Sequence, residues 1–405
     1  MPDYQSIIII GGGIAGTNAA LQLRKGGFKG NISLFDCTPD MPYDRPPLSK
    51  EFMLGEVEES DVLLVDPSVF EDLNIDLHLG VLIKDVDPHK QEIRTEDGVT
   101  YFYDKLLLAT GSTLRKLLIE GSTLDNIFYL KTLSDAKKIK KQLGEINKVV
   151  IIGAGFIGAE LASVCRAQGI EVTIMERSSV PMAQVLGEEI GEYVLRLHHN
   201  HGVDFITNDS IKAFHGDKKV EKVETTNGKS IDCQAVVIGI GVEPNMIFTH
   251  QDLEVNRGYI VNEFGETSLP NVYAAGDCVM WPYKDELIHV EHWDHAVNHG
   301  QVVAKNMVHE KVERYIRVPY FWSDQYNTRL QYIGYAKSWN KTVVRGNKDA
   351  GEFTYFYLDK ENVILAAMIV NEPKNVLPIR KLINKGSSID IDALQNTEVS
   401  LKKLS

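Results

Sequence analysis

Two glycine triplets, each followed by an acid, carry the clearest chemistry in the 405-residue chain. Gly11-x-Gly13-x-x-Gly16 follows the apolar run 7–10, and Asp36 lies 20 residues after Gly16. Gly153-x-Gly155-x-x-Gly158 follows the run 149–152, and Glu176 lies 18 residues after Gly158. The first glycine of such a triplet permits a tight turn after a strand. The second lets the backbone approach a pyrophosphate, and the third lets the helix pack closely on the strand. Free N–H groups and the dipole at the helix start favour the phosphates, and the acid accepts from ribose hydroxyls. One triplet alone is often only a Gly-rich turn; two with strand, helix and acid in place read as two dinucleotide sites. Two dinucleotides in one chain point to a flavin and a nicotinamide, with hydride passed between them.

The elements that must position these residues form an internal repeat. The first copy predicts a strand over 7–10, a helix over 17–25 stopped by Gly26-Gly27, and a strand over 32–35. The second predicts a strand over 149–152, a helix over 159–168 stopped by Gly169, and a strand over 172–175. Strands at 106–108 and 235–240 run into Ala109-Thr110-Gly111 and Gly241-Val242-Glu243-Pro244-Asn245, turns suited to crossings between domains. Residues 272–277 predict a further strand, turn and acid. From about residue 310, aromatic and β-branched runs at 353–358 and 363–370 predict a small sheet, followed by a helix over 376–384. The expected fold class is α/β: two interleaved Rossmann-like dinucleotide-binding domains plus a C-terminal α+β domain. The boundaries are residues 1–112 with 243–309, then 113–242, then 310–405.

Composition narrows the function. Apolar residues are 43% and charged residues 24%, which excludes wholesale disorder. A net charge of −13 argues against nucleic acid or an anionic membrane as the main partner. No apolar run approaches the ~18 residues of a membrane span, and no basic-then-apolar signal region opens the chain, so a cytoplasmic protein is expected. Cys37, Cys165, Cys233 and Cys278 show neither C-x-x-C nor zinc-ligand spacing, and read as reduced, mostly buried thiols. Residues 311–405 hold 15 Lys/Arg against 10 Asp/Glu, a net of +5, while the remainder holds 28 against 46, a net of −18. A basic tail on an acidic body suits an acidic partner docking near the tail; a mixed, solvated surface is the plainer reading.

Several segments together resemble a known family. These are Arg45-Pro46-Pro47-Leu48-Ser49-Lys50, Ala109-Thr110-Gly111, the second triplet, and Gly241-Val242-Glu243-Pro244-Asn245. Tyr273-Ala274-Ala275-Gly276-Asp277 and Pro319-Tyr320-Phe321-Trp322-Ser323-Asp324-Gln325 complete the set. The chain resembles, over nearly its whole length, the FAD- and NADH-dependent ferredoxin reductases that feed bacterial Rieske-type oxygenases and cytochromes P-450, within the glutathione-reductase-like flavoproteins. The resemblance assigns 1–112 with 243–309 to FAD and 113–242 to NAD. It implies electron transfer from NADH through FAD to a small iron–sulfur protein, a ferredoxin of [2Fe–2S], Rieske or related type. That partner would dock near the basic C-terminal domain of a monomer or homodimer.

The resemblance also implies site roles. Gly11, Gly13, Ala15, Gly16 and Asp36 contact the pyrophosphate and ribose of FAD. Arg45 and Lys50 lie along the cofactor, Lys50 near the flavin N5/O4 edge, where a cation stabilises negative charge on the reduced ring. Asp277 binds the ribityl or pyrophosphate part, Ile83 makes an apolar contact to adenine, and Ala109, Thr110, Gly111 and Gly241 line the cofactor turns. Lys131 stands where the family often has Arg, giving a point charge in place of a fork. Glu291 and Trp293 belong to a segment that reaches the flavin. Trp322 is a candidate electron relay; either tryptophan also reads as an ordinary core aromatic. Gly153, Gly155, Ile157 and Gly158 hold NADH. Glu176 would repel a 2′-phosphate, although Arg177 beside it offers that phosphate a partner. Glu160 points toward the nicotinamide, or is an exposed helix-start acid. Disulfide reductases of this superfamily carry redox cysteines facing the flavin, where this chain has Pro47 and Lys50. His289, His292, His295 and His299 recur at helical spacing, yet no Cys joins them and they lie in the flavin-facing stretch, so no metal is expected. His198, His199 and His201 read as a helix end and loop. The competing functions are an NADH oxidase or peroxidase, and an NADH-sensing module resembling apoptosis-inducing factor.

Overall fold

The computed structural model describes residues 5–309 and 311–404. The chain is α/β, with two Rossmann-like parallel sheets and a C-terminal antiparallel sheet with helices. It divides into two compact units. The first comprises Met1–Asp44, Glu58–Leu114 and Val242–Arg317; the second comprises Arg45–Val57, Arg115–Gly241 and Val318–Ser405.

The first unit is built on five parallel strands in the order Val272–Ala274, Lys105–Leu108, Ser6–Ile10, Asn31–Asp36, Ile75–Leu79. Ile7 to Ile10 are buried on both faces of the sheet, which is why the run lacks polar alternation. The chain reverses direction across the sheet between Ser6–Ile10 and Lys105–Leu108. Ligands of such sheets bind at that switch, beyond the carboxyl ends of the strands. The helix Ile14–Lys25 leaves from there and packs against the helix Trp293–Val308.

The second unit repeats the plan. Its parallel strands run in the order Val203–Ile206, Glu171–Met175, Lys148–Ile152, Ala235–Ile238, Ile127–Tyr129. Each unit inserts a three-stranded antiparallel sheet, Ile83–Asp87, Glu92–Thr95, Thr100–Phe102 in the first and Ile211–His215, Lys222–Thr225, Ser230–Asp232 in the second. The C-terminal sheet of the second unit orders its strands Tyr320–Gln325, Thr328–Gly334, Ile364–Val370, Glu352–Leu358, Lys341–Asn347, all antiparallel. Phe356 and Leu358 face the helix Val376–Lys385, while Phe353, Tyr355 and Tyr357 face Leu186, Ile190 and Val194. Burial on both faces explains the uninterrupted apolar run there.

The helices after both triplets start earlier than the sequence indicated, at Ile14 and Phe156. Gly13 and Gly155 are their N-caps, so the third glycine of each triplet lies inside the first turn. A Cβ on Gly16 would fall 1.9 Å from the Gly11 carbonyl oxygen, and one on Gly158 would fall 2.2 Å from that of Gly153. The histidine series is not one helical face. The helix starts at Trp293, so His289 and His292 precede it, and only His295 and His299 ride on it.

Candidate functional site

In the first unit, a Cβ on Gly11 would fall 2.1 Å from the Ala109 carbonyl oxygen, so the loop backbone lies directly against the Ala109–Gly111 turn. Asp36 Oδ2 accepts from Gly12 N at 2.7 Å, and its Oδ1 accepts from Thr38 N and Thr38 Oγ1 at 2.8 and 2.7 Å. Ala15 is 6% exposed, close under Gly276 and Gly300; a Cβ on Gly300 would meet the Ala15 carbonyl oxygen at 2.3 Å. Thr110 Oγ1 donates to the Asn245 carbonyl at 2.5 Å, and Asn245 N donates to Gly111 O at 2.9 Å, which laces the two crossing turns together. Trp293 Nε1 donates to Asp44 Oδ1 at 2.6 Å, half-buried Asp277 follows Gly276, Glu291 is exposed, and Ile83 is buried. The loop thus presents the free N–H groups of a 12-residue helix where a pyrophosphate would sit. The close backbone approach and the acid at the strand end fit a dinucleotide such as FAD.

In the second unit the same parts recur. Glu176 Oε2 accepts from Ala154 N at 2.9 Å and its Oε1 from Ser178 N at 2.8 Å. These bonds leave the carboxylate anchored at the strand end, where a ribose would meet it, and Arg177 is exposed beside it. Ile157 is 44% exposed. Gly241 has φ +93°, and its carbonyl accepts from Arg115 N at 3.2 Å.

Glu160 is not an exposed helix-start acid. It is 6% exposed and lies among residues of two distant segments. Ser49 Oγ donates to its Oε2 at 2.5 Å, Ser323 Oγ donates to its Oε1 at 2.7 Å, and Lys50 Nζ lies 3.4 Å from Oε1. Burial pushes the Glu160 carboxyl up, opposed by Lys50 and by the bonds from Ser49 and Ser323. Lys50, 9% exposed, also pairs with Asp324 at 3.7 Å and stands 5.8 Å over the Trp322 ring. Pro47 and Arg45 set up the turn: Lys50 N donates to Pro47 O and Leu48 N to Arg45 O. Lys131 also belongs to the second unit, where its N–H joins the cap of the helix Leu133–Leu143 by donating to Asp135. A buried ion pair steadied by two hydroxyls can hold a cation at a fixed point beside a redox centre.

Sequence reading missed Ser49, Ser323 and Asp324 as site residues, although all three lie inside segments it had singled out. Ser323 sits mid-strand among aromatics, a small polar residue at a buried position, which was the available signal. The thiols stand apart from this cluster. Burial pushes Cys165 and Cys233 up to about 12 and Cys278 up to about 11, so these three stay protonated; Cys37 is exposed. Among the described residues, His89, His250 and Asp252 bring metal-competent atoms within 4.8 Å of one another, but His250 Nδ1 already accepts from Asp252 N at 3.2 Å. His295 and His299 pack with Trp281 and Tyr315 as core aromatics. Among the described residues, no helix is long and apolar enough to cross a membrane.

Residues 5–300 match the pyridine nucleotide-disulphide oxidoreductase family, and residues 320–405 match the reductase C-terminal family. Rhodocoxin reductase of Rhodococcus erythropolis is 34% identical over 402 residues, covering 98% of this chain and 93% of that protein. A ferredoxin–NAD(P)(+) reductase of Sphingomonas sp. is 32% identical over 393 residues, covering 96% and 94%. The fold superimposes on the reductase of a covalent putidaredoxin reductase–putidaredoxin complex with a TM-score of 0.95 at 30% identity, covering 99% of this chain and 98% of that one.

Proposed function

We propose, for a chain that belongs to the pyridine nucleotide-disulphide oxidoreductase family and ends in a reductase C-terminal domain, that it is an FAD-dependent ferredoxin–NAD(+) reductase. It takes electrons from NADH and delivers them to a small iron–sulfur protein that serves an oxygenase or cytochrome P-450. The observation that carries this reading is the pair of dinucleotide cradles in one chain, together with a buried Lys50–Glu160 pair and no thiol in that cluster. Bound FAD supplies the conversion of a two-electron hydride donor into single-electron delivery.

The chain's own residues do the rest. The Gly11–Gly16 loop and Asp36 hold FAD through backbone N–H groups and ribose hydroxyls, with Ala15, Ile83, Ala109, Thr110, Gly111, Asp277, Glu291 and Trp293 completing that side. The Gly153–Gly158 loop, with Ile157 and Glu176, takes NADH, and Glu176 disfavours a 2′-phosphate. Lys50, held by Glu160 and oriented by Pro47, supplies positive charge where the reduced ring becomes negative. Arg45, Lys131 and Gly241 line the cofactor, and Trp322 relays electrons toward the partner. The functional regions are 1–112 with 243–309 for FAD, 113–242 for NAD and 310–405 for the C-terminal domain.

The partner is a [2Fe–2S] ferredoxin, Rieske or related type, docking near the C-terminal domain, whose basic excess suits an acidic surface. A cytoplasmic location is supported by the buried, protonated thiols of Cys165, Cys233 and Cys278, since oxidising compartments favour disulfides. The assembly is a monomer or homodimer. The test is anaerobic mixing of the FAD-loaded protein with NADH or NADPH, followed by a panel of ferredoxins and rubredoxins. Fast NADH-driven reduction of a ferredoxin and slow turnover with oxygen support the reading. Fast peroxide or oxygen reduction with no ferredoxin turnover overturns it.

A further inference from the structure

The polar contacts of Glu160 reach well beyond the ion pair. Ser323 and Gln325 are two residues apart on one strand, so both side chains leave the same face, and both are 0% exposed. Ser323 Oγ donates to Glu160 Oε1 at 2.7 Å, and Gln325 Nε2 donates to Ser323 Oγ at 3.1 Å. Gln325 Oε1 can only accept, so His198 Nε2, 3.0 Å away, must carry the proton. A neutral imidazole protonated there has a bare Nδ1, and the Tyr326 hydroxyl, 3.0 Å from it, donates to it. Every donor points the same way, and the line ends on the carboxylate.

The outer end of the line is over-determined. Tyr326 opens the two-residue turn between Gln325 and Thr328 with φ +54°, a place where hairpins normally use Gly. Its N–H donates to Ser163 Oγ at 2.7 Å and its ring stacks on His201 at 3.6 Å. An aromatic kept at a strained position needs a reason, and its hydroxyl on His198 supplies one.

We propose that Tyr326, His198, Gln325 and Ser323 are positioning residues, a one-way line of hydrogen-bond donors that fixes the Glu160 carboxylate in its ionised form beside Lys50. The charged groups nearest Glu160 are Lys50 and, through Lys50, Asp324. His198 is faced by His199 and His201, and Tyr326 by Arg166 and Cys165. Burial lowers the His198 imidazole to about 4, which keeps it neutral and its tautomer fixed near neutral pH. Burial also raises the Tyr326 phenol, so it stays a donor. Cooperative alignment strengthens each bond in such a line. The consequence for electron transfer rests on the reductase reading above; the line itself does not.

Two measurements on the full-length, as-purified protein decide the matter. Selective ¹⁵N-histidine NMR, with His198 assigned by difference against His198→Gln, should show protonated Nε2 and bare Nδ1 from pH 8 to pH 5.5. Tyr326→Phe, which keeps the ring stack, should shift the bare Nδ1 resonance, which loses its donor, while Gln325 keeps the proton on Nε2. An Nδ1-protonated or cationic His198 in wild type in that range overturns the proposal, whether or not the protein reduces a ferredoxin. The second measurement is the pH profile of flavin reduction by NADH. Losing a donor destabilises the charged form of Glu160, so its protonation and the acid limb of the profile move upward. Ser323→Ala should move the limb by about one pH unit, Gln325→Leu by less, and Ser323→Thr should restore it. A limb that moves for Ser323→Ala but stays fixed for Gln325→Leu ends the line at the serine and overturns the proposal.

Discussion

The two glycine loops share one backbone plan and differ in what surrounds them. The first is closed. Ala15 is buried under Gly276 and Gly300, and the helix Trp293–Val308 packs on the loop's own helix. The second is open. Ile157, in the place of Ala15, is 44% exposed, and a Cβ on Gly155 would meet nothing within 4 Å. Among the described residues, the bonds of Asn18 in the first repeat are neutral, to Ile14 O at 2.8 Å and from Gln301 at 3.1 Å. Its counterpart in the second repeat is Glu160, buried against Lys50. A closed loop suits a resident group and an open one suits a cosubstrate that enters and leaves. On the proposed reading, the charge at the second repeat lies where the reaction needs an electrostatic partner. On the function proposed above, the same fingerprint serves retention in one copy and exchange in the other.

The largest contrast should come from the paired position. Lys50→Ala leaves Glu160 buried without its cation, which costs about 3–5 kcal/mol unless the carboxyl protonates. Denaturant unfolding should show that loss, and stopped-flow reduction by NADH should slow at least ~10-fold with FAD still bound. Asn18→Ala, which removes a neutral hydrogen-bonding side chain, should cost about 1 kcal/mol.

Acid should separate the units next. Burial lowers His292 to about 4, His299 to about 3 and His295 well below its usual value in the first unit, and lowers His198 to about 4 in the second. A folded pKa below the unfolded value of about 6.5 means the unfolded chain binds protons that the native chain refuses. That stability is fully present above pH ~6.5 and is lost as pH falls toward the folded values. At pH 5 each histidine forfeits about 2 kcal/mol, hence about 6 for the three of the first unit against about 2 for the second. Calorimetry at pH 7 and pH 5 checks this; equal shifts for both units would break the contrast.

These histidines also show where the sequence misled and why. Their spacing looked helical, but the helix starts at Trp293, and capping geometry is poorly written in composition. The loops were legible because the third glycine of each triplet packs on the first, five residues away, even though the first also lies against a distant turn. The doubly buried strands at 7–10 and 353–358 were legible because burial on both faces leaves an uninterrupted apolar run. Glu160 was not, because its partners Ser49 and Ser323 lie 111 and 163 residues away in the chain. Nor did the sequence indicate that Arg45–Val57 packs with the second unit, since that depends on contacts such as Met53 O accepting from Gln168 at 3.0 Å.

Smaller effects sharpen the open-and-closed distinction. Gly300→Ala forces a Cβ against the Ala15 carbonyl and should cost about 1–3 kcal/mol, with FAD released more readily on dilution. Gly155→Ala has space and should leave Tm unchanged while raising KM for NADH. Glu176→Ala should raise KM for NADH by about tenfold, the worth of one charged hydrogen bond, and narrow the gap to NADPH. Comparable kcat/KM for NADH and NADPH in the unaltered protein would contradict the role given to Glu176.

The central claim is that one loop keeps FAD while the other admits NADH, and that electrons leave without a thiol. Gel filtration of the FAD-loaded protein, followed by anaerobic titration with NADH and then oxidised [2Fe–2S] ferredoxin, tests it most directly. The account predicts that the yellow colour stays with the protein, bleaches with one equivalent of NADH, and returns as two equivalents of ferredoxin are reduced. It predicts the same course after thiol alkylation. A colourless protein that takes up no FAD, or ferredoxin reduction abolished by alkylation, would contradict it.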